Sequence, residues 1–167
     1  MLPAIRNILS RKTTEEIPFR DPAFEAIGRE LKAVVEARMR RSLAIRELDS
    51  GSDNATEIEI NLLSSPHYDV ERFGISFAAS PRHADLLLVT GAVTRNMEVA
   101  VKKTYEAMPA PKYVIAVGDD ACDGGIYRGT YAVLGGVDAV LPVDLKIPGN
   151  PPEPIEILRG ILALMTR

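Results

Sequence analysis

The chain is 167 residues long, with 46% hydrophobic and 26% charged residues, the balance of one globular domain with a real core. A formal net charge of −3, with basic residues scattered apart from Arg38, Arg40 and Arg41, offers no field that attracts nucleic acid. A single cysteine, Cys122, excludes an intramolecular disulfide, and no apolar stretch approaches the roughly 20 residues needed to cross a bilayer.

Leu2, Ile5, Ile8 and Leu9 alternate with Arg6, Arg11 and Lys12 at the start of the chain, but no signal-peptide core or cleavage site follows. The expectation is a cytoplasmic location, with a membrane-surface anchor left open. Asp21-Pro22 then opens a helical pattern in which Phe24, Ile27, Leu31, Val34 or Val35 and Met39 recur every three or four residues. Such an amphipathic helix either packs on its own domain or docks a partner or a lipid surface.

From Ser42 the pattern changes to short apolar runs rich in β-branched residues, stopped by Gly, Pro, Asp or Ser. Strands are expected at 42–48, 75–78, 86–90, 113–117 and 139–142, and helices at 56–63, 97–108 and 154–165. Leu86-Leu87-Leu88-Val89 has no polar alternation, as a strand buried on both faces requires. The alternation of strands and helices predicts an α/β fold, a doubly wound parallel sheet of flavodoxin-like type, over 42–167 behind an N-terminal segment 1–41. Ligands of such sheets gather beyond the carboxyl ends of the strands, so the informative loops are 49–57, 80–85, 91–95, 118–127 and 144–152.

Those loops carry Asp49-Ser50-Gly51-Ser52, Glu57-Ile58-Glu59-Ile60, Ser80-Pro81-Arg82-His83-Ala84-Asp85, Thr90-Gly91-Ala92-Val93-Thr94-Arg95, Gly124-Gly125-Ile126-Tyr127 and Ile147-Pro148-Gly149. Asp69-Val70-Glu71-Arg72-Phe73-Gly74-Ile75, Gly135-Gly136-Val137 and Pro142-Val143-Asp144 fall between them. In this order the set resembles the small iron–sulfur subunit of membrane-bound nickel–iron hydrogenases, including formate hydrogenlyase, and the 20 kDa subunit of respiratory complex I. The hydrogenase branch fits better, because it spaces its first two cluster cysteines as Cys-x-x-Cys.

The resemblance implies a 4Fe-4S cluster held by cysteines at four positions, which in this chain are Asp53, Thr56, Asp120 and Asn150. Thiolates donate covalently to cluster iron, and short oxygen side chains are poor substitutes. No cofactor is therefore expected, no metal and no catalytic residue. Cys122, two residues past the third ligand position, reads as a small packed thiol. The oxygen-bearing replacements, with Asp119 and Asp123 close in sequence, either hold a hard cation such as magnesium or calcium or pair with arginines and backbone amides. The resemblance places Glu57, Arg82, His83 and Arg95 around this pocket and its interface. Arg82 and Arg95 are the candidate counter-charges, and His83, without a visible base or nucleophile partner, reads as a packing or hydrogen-bonding residue.

The family further implies a partner like the hydrogenase large subunit or the 49-kDa subunit of complex I, near a quinone or nickel site, together with antiporter-like membrane subunits. The complex would sit on the inner face of the membrane. The leading reading is a structural or coupling subunit of a hydrogenase-like or NADH-quinone oxidoreductase-like complex, without its own cluster and not catalytic by itself. Its alternatives are a conventional electron-transfer subunit with unusual cluster ligands, and a stand-alone oxygen-ligand metal or small-molecule binding domain. Gly124-Gly125 and Gly135-Gly136 do not supply a phosphate loop. Asp119-Asp120 lacks the second acidic strand end and the lysine of a response regulator.

Overall fold

The structure, a computed structural model, describes residues 21–167; the apolar and basic pattern of Met1 to Lys12 and its anchor reading lie outside them. Helix α1 (Pro22–Met39) begins where the Asp21 carboxylate accepts the Ala23 amide at 2.8 Å and Pro22 supplies a pre-set first turn. It ends where Arg40 turns left-handed and donates its amide to the Glu36 carbonyl. Phe24, Leu31 and Val35 are buried against the sheet and the last helix, so the apolar stripe is covered by the domain itself.

The remaining elements are β1 (Leu43–Asp49), α2 (Ala55–Leu63), β2 (Ile75–Phe77), β3 (Leu86–Thr90), β4 (Val93–Thr94), α3 (Glu98–Ala107), β5 (Tyr113–Val117), α4 (Asp119–Asp123), β6 (Val133–Gly135), β7 (Leu145–Ile147) and α5 (Pro154–Met165). Strands β2-β1-β3-β5-β7 pair in parallel in that order, the doubly wound order of a flavodoxin-like sheet. A small antiparallel pair, β4 with β6, stands apart from it.

The centre of the sheet explains its stability. All of β3 is buried; Leu86 and Leu88 enter the core shared with α1, α2 and α5, while Leu87 and Val89 enter the one shared with α3 and α4. Each such side chain contributes about 2 kcal/mol of burial. Short helices then cover both faces, as parallel strands demand.

The strand expected at 139–142 is not one. Residues Val137–Ala139 form a 3-10 turn, and Val137 and Leu141 are apolar because they cap the α3–α4 face of the sheet. The fifth strand is β7, three residues on. Asp144 sets its register on β5: its carboxylate accepts the Val114 amide at 2.8 Å, and its own amide donates to the Val114 carbonyl at 2.9 Å.

Candidate functional site at the carboxyl edge of the sheet

The loop after β1 is built by its own side chains. The Asp49 carboxylate accepts the amides of Gly51 and Ser52, both at 2.7 Å, and turns the chain sharply out of the strand. Ser50 is fully buried, and its hydroxyl donates to the carbonyls of Thr90 and Gly91. Glu57, in the first turn of α2, points inward: it is 7% exposed and accepts the hydroxyls of Ser52, at 2.7 Å, and Thr90. This carboxylate therefore ties the β1–α2 loop to the end of β3. Thr90 is the partner that sequence reasoning missed; its place at the end of an apolar strand was the available signal.

Beyond β5 the chain makes a second sharp turn. Gly118 has φ +91, and a methyl group there would lie 2.8 Å from the Thr56 hydroxyl and 3.6 Å from the Gly149 carbonyl. Only glycine lets α2, the β5–α4 turn and the loop after β7 approach so closely. Asp119 fastens that loop, donating its amide to the Gly149 carbonyl and accepting the Gly149 amide on its carboxylate, both at 2.8 Å.

This arrangement brings Asp53, Thr56, Asp120 and Asn150 to the carboxyl edge of the sheet. Asp120 and Asn150 line one cavity of about 720 Å³, together with Asp119, Asp123 and Lys146. Thr56 is buried beside Gly118, and Asp53 is exposed, its carboxylate accepting the Ala55 amide at 3.0 Å. The Asp120 carboxyl titrates above the ordinary range, pushed up first by burial, then by the charges of Asp53 and Asp119 and, last, of Asp123; an amide bond from Ile126 draws it down.

The counter-charges are not the arginines expected. Arg95 is exposed and donates to the Tyr131 carbonyl at 2.7 Å; Arg82 and His83 lie exposed in the 3-10 turn Pro81–His83. Lys146 reaches Asp138 at 2.6 Å and the Cys122 carbonyl at 2.5 Å, and Arg128 pairs with Asp123 at 3.0 Å. Neither neutralises Asp53 or Asp120, and the pocket keeps a negative surplus. Cys122 is buried with its sulfur 3.7 Å from the Ala116 carbonyl; burial pushes its thiol up to about 11, against the pull of Lys146. It is a packed thiol, protonated at neutral pH.

Residues 54–164 match the family model of the NADH ubiquinone oxidoreductase 20 kDa subunit. The chain belongs to that family. It is 42% identical over 154 residues to formate hydrogenlyase subunit 7 of Escherichia coli, covering 92% of this chain and 60% of that subunit. It is 46% identical over 110 residues to an NADH-quinone oxidoreductase subunit of Citrifermentans bemidjiense, covering 66% of this chain and 64% of the relative. The chain thus spans less than two thirds of the length of both relatives. Among solved structures it is similar to a chain of the membrane-bound sulfane sulfur reductase, an archaeal respiratory membrane complex, with a TM-score of 0.68 and 38% identity over 81% of this chain and 74% of that one.

The family's 4Fe-4S cluster does not fit the donors present here. The positions that the resemblance pairs with its cysteines offer two carboxylates, a hydroxyl and an amide, and the one thiol of the chain is turned into the core. Among the described residues, no three His, Cys, Asp or Glu side chains come together as a metal site. No helix of the described residues is long and apolar enough to cross a membrane.

Proposed function

We propose that the chain is a structural or coupling subunit of a membrane-associated complex of the hydrogenase or NADH-quinone oxidoreductase kind, working without a cluster of its own. The observation that carries this reading is a contrast within one site. The loops are held by their own bonds and close approaches, from the Asp49 turn and the Glu57 tie to Gly118 and Gly149, while the four positions that the resemblance gives to cluster cysteines are Asp53, Thr56, Asp120 and Asn150. Electron tunnelling needs a redox centre in the gap, and this chain supplies none of its own. Its contribution is then to hold partners in register, on a surface formed by the same loops.

The partner this implies is a protein like the hydrogenase large subunit or the 49-kDa subunit, joined to antiporter-like membrane subunits and held peripherally on the inner face of the membrane. Two large side chains support an interface there: Ile126, which lines the cavity, is 79% exposed, and Tyr131, a few residues on, is 92% exposed. The test is affinity purification of the complex from native membranes under anaerobic conditions, followed by iron and acid-labile sulfide analysis of the separated subunits. The reading expects a large subunit to co-purify and this chain to carry no cluster iron; a chain recovered alone, without any large partner, contradicts it.

A further inference from the structure

The second feature lies on the other side of the same edge, between β1, α2 and the chain that leaves β2. Strand β2 pairs with β1 only as far as Ile45 opposite Phe77, and the last bond is from the Ala78 amide to the Ile45 carbonyl. Strand β1 continues to Asp49, paired there with β3 alone. Along β1 the backbone groups alternate in direction. Leu43 and Ile45 bond toward β2, whereas Ala44 and Ser50 bond toward β3. By that alternation the amide and carbonyl of Glu47 face the open side. The gap is a cavity of about 520 Å³, lined by Arg46, Glu47, Asp49, Asn61 and Ser64, with Ile60 and Phe77 as its apolar wall.

Arg46 lines it, with its Nε closed off from solvent and without a hydrogen-bond partner among the described residues. The slot itself is defined by the unpaired backbone of β1 and by the charges that line it. The charge around it is negative in sum, Glu47 and Asp49 against Arg46, with Glu57 behind. The Glu47 carboxyl reflects this: burial first, then Glu57, push it up, and Arg46 pulls it down. An acidic ligand is repelled here, and a basic one is drawn in.

We propose that the open edge of β1 at residues 46–49 is a docking slot for an extended segment of a partner protein, which adds to the sheet where β2 stops and carries a lysine or arginine toward Glu47 and Asp49. Strand addition of this kind draws affinity from main-chain bonds and selectivity from the side chains on either face. Four residues of extended chain span about 13 Å, a length that a short loop of a partner provides. The slot does not depend on the absence of the cluster, and it stands or falls separately from that reading.

The test is titration of the full chain, followed by amide NMR, with two capped tetrapeptides, acetyl-Val-Arg-Val-Lys-amide and acetyl-Val-Glu-Val-Glu-amide. The basic peptide is expected to shift the Glu47 and Asp49 amides saturably and to slow exchange of the Glu47 amide; the acidic one is expected to bind at least tenfold more weakly. Glu47→Lys reverses the preference, and Glu47→Gln, the milder variant, weakens the basic peptide about tenfold. Equal binding of both peptides, or no shift at residues 46–49 with the basic one, overturns the proposal. So does slowed Glu47 exchange that grows with protein concentration alone, which assigns the edge to a second copy. Saturable shifts of these amides by a small neutral carbonyl compound such as menadione, with none from the peptide, make the cavity a small-molecule site and overturn it equally.

Discussion

Glu57 and Asp120 are carboxylates at the same edge of one sheet, and they are treated oppositely. Glu57 is buried and fully engaged by the hydroxyls of Ser52 and Thr90, so that its charge holds two loops together. Asp120 is half-buried beside Asp53, Asp119 and Asp123, and its charged form is disfavoured by them. The first is framework, a carboxylate whose partners lie inside the chain. The second has polar groups in excess of their partners, which is the condition of a surface shaped for something outside the chain.

The comparison can be broken most severely at the backbone that supports Glu57. Gly91 has φ +71, and a methyl group there would collide with the Ser52 amide nitrogen, so Gly91→Ala is expected to cost about 3 kcal/mol or more. Chemical denaturation measures it; a loss below about 1 kcal/mol shows that the β1–α2 loop shifts freely and is no framework. Glu57→Ala leaves two hydroxyls without their acceptor and should cost about 2–3 kcal/mol, with Glu57→Gln recovering about half. If the alanine variant is as stable as the parent, the tie between β1 and β3 is not Glu57.

On the surface side the effects are smaller and fall on assembly. Arg82 is exposed and has no carboxylate partner among the described residues, so Arg82→Ala is expected to leave stability within about 0.5 kcal/mol. Association with the large partner that the proposed function implies should weaken by about 1–3 kcal/mol if the guanidinium is paired across the interface, as native gels and titration would record. Unchanged assembly removes Arg82 from the interface.

The smallest effect concerns Asp120 and has a definite sign. Because its folded-state titration lies above the ordinary carboxylate range, the stability it contributes is fully present below about pH 4 and is lost as pH rises through the raised value. Asp120→Asn should therefore raise Tm relative to the parent by about 1–3 °C at pH 7 and by nothing at about pH 3.5. A gain of equal size at both pH values would assign the effect to packing.

The sheet was legible because its strands are buried on both faces. Leu86-Leu87-Leu88-Val89 and Val114-Ile115-Ala116-Val117 have no reading other than central strands, and α5 announced itself through Pro154 at its start and the period of Ile157, Leu158, Ile161 and Leu164. The edge strand β7 was not legible. Leu145-Lys146-Ile147 is too short to show a period, and the more apolar run before it is a cap over the sheet. At the site, the strand pattern placed the loops that follow β1, β3 and β5, but it carried no information about which way a side chain turns. The inward turn of Glu57 depends on Thr90 at the end of a distant strand, and the open edge of β1 depends on where β2 stops. Pairings of that range are set by tertiary structure; Thr90 at the end of an apolar strand was a signal, but it does not name its partner.

The central claim is that the cluster is absent because its donors are absent, in a framework still shaped to hold one. Anaerobic reconstitution with iron and sulfide tests it on two proteins, the natural chain and a variant combining Asp53→Cys, Thr56→Cys, Asp120→Cys and Asn150→Cys. The account predicts negligible iron in the natural chain, and about four irons with broad visible absorption in the variant. About four irons bound by the natural chain would contradict it.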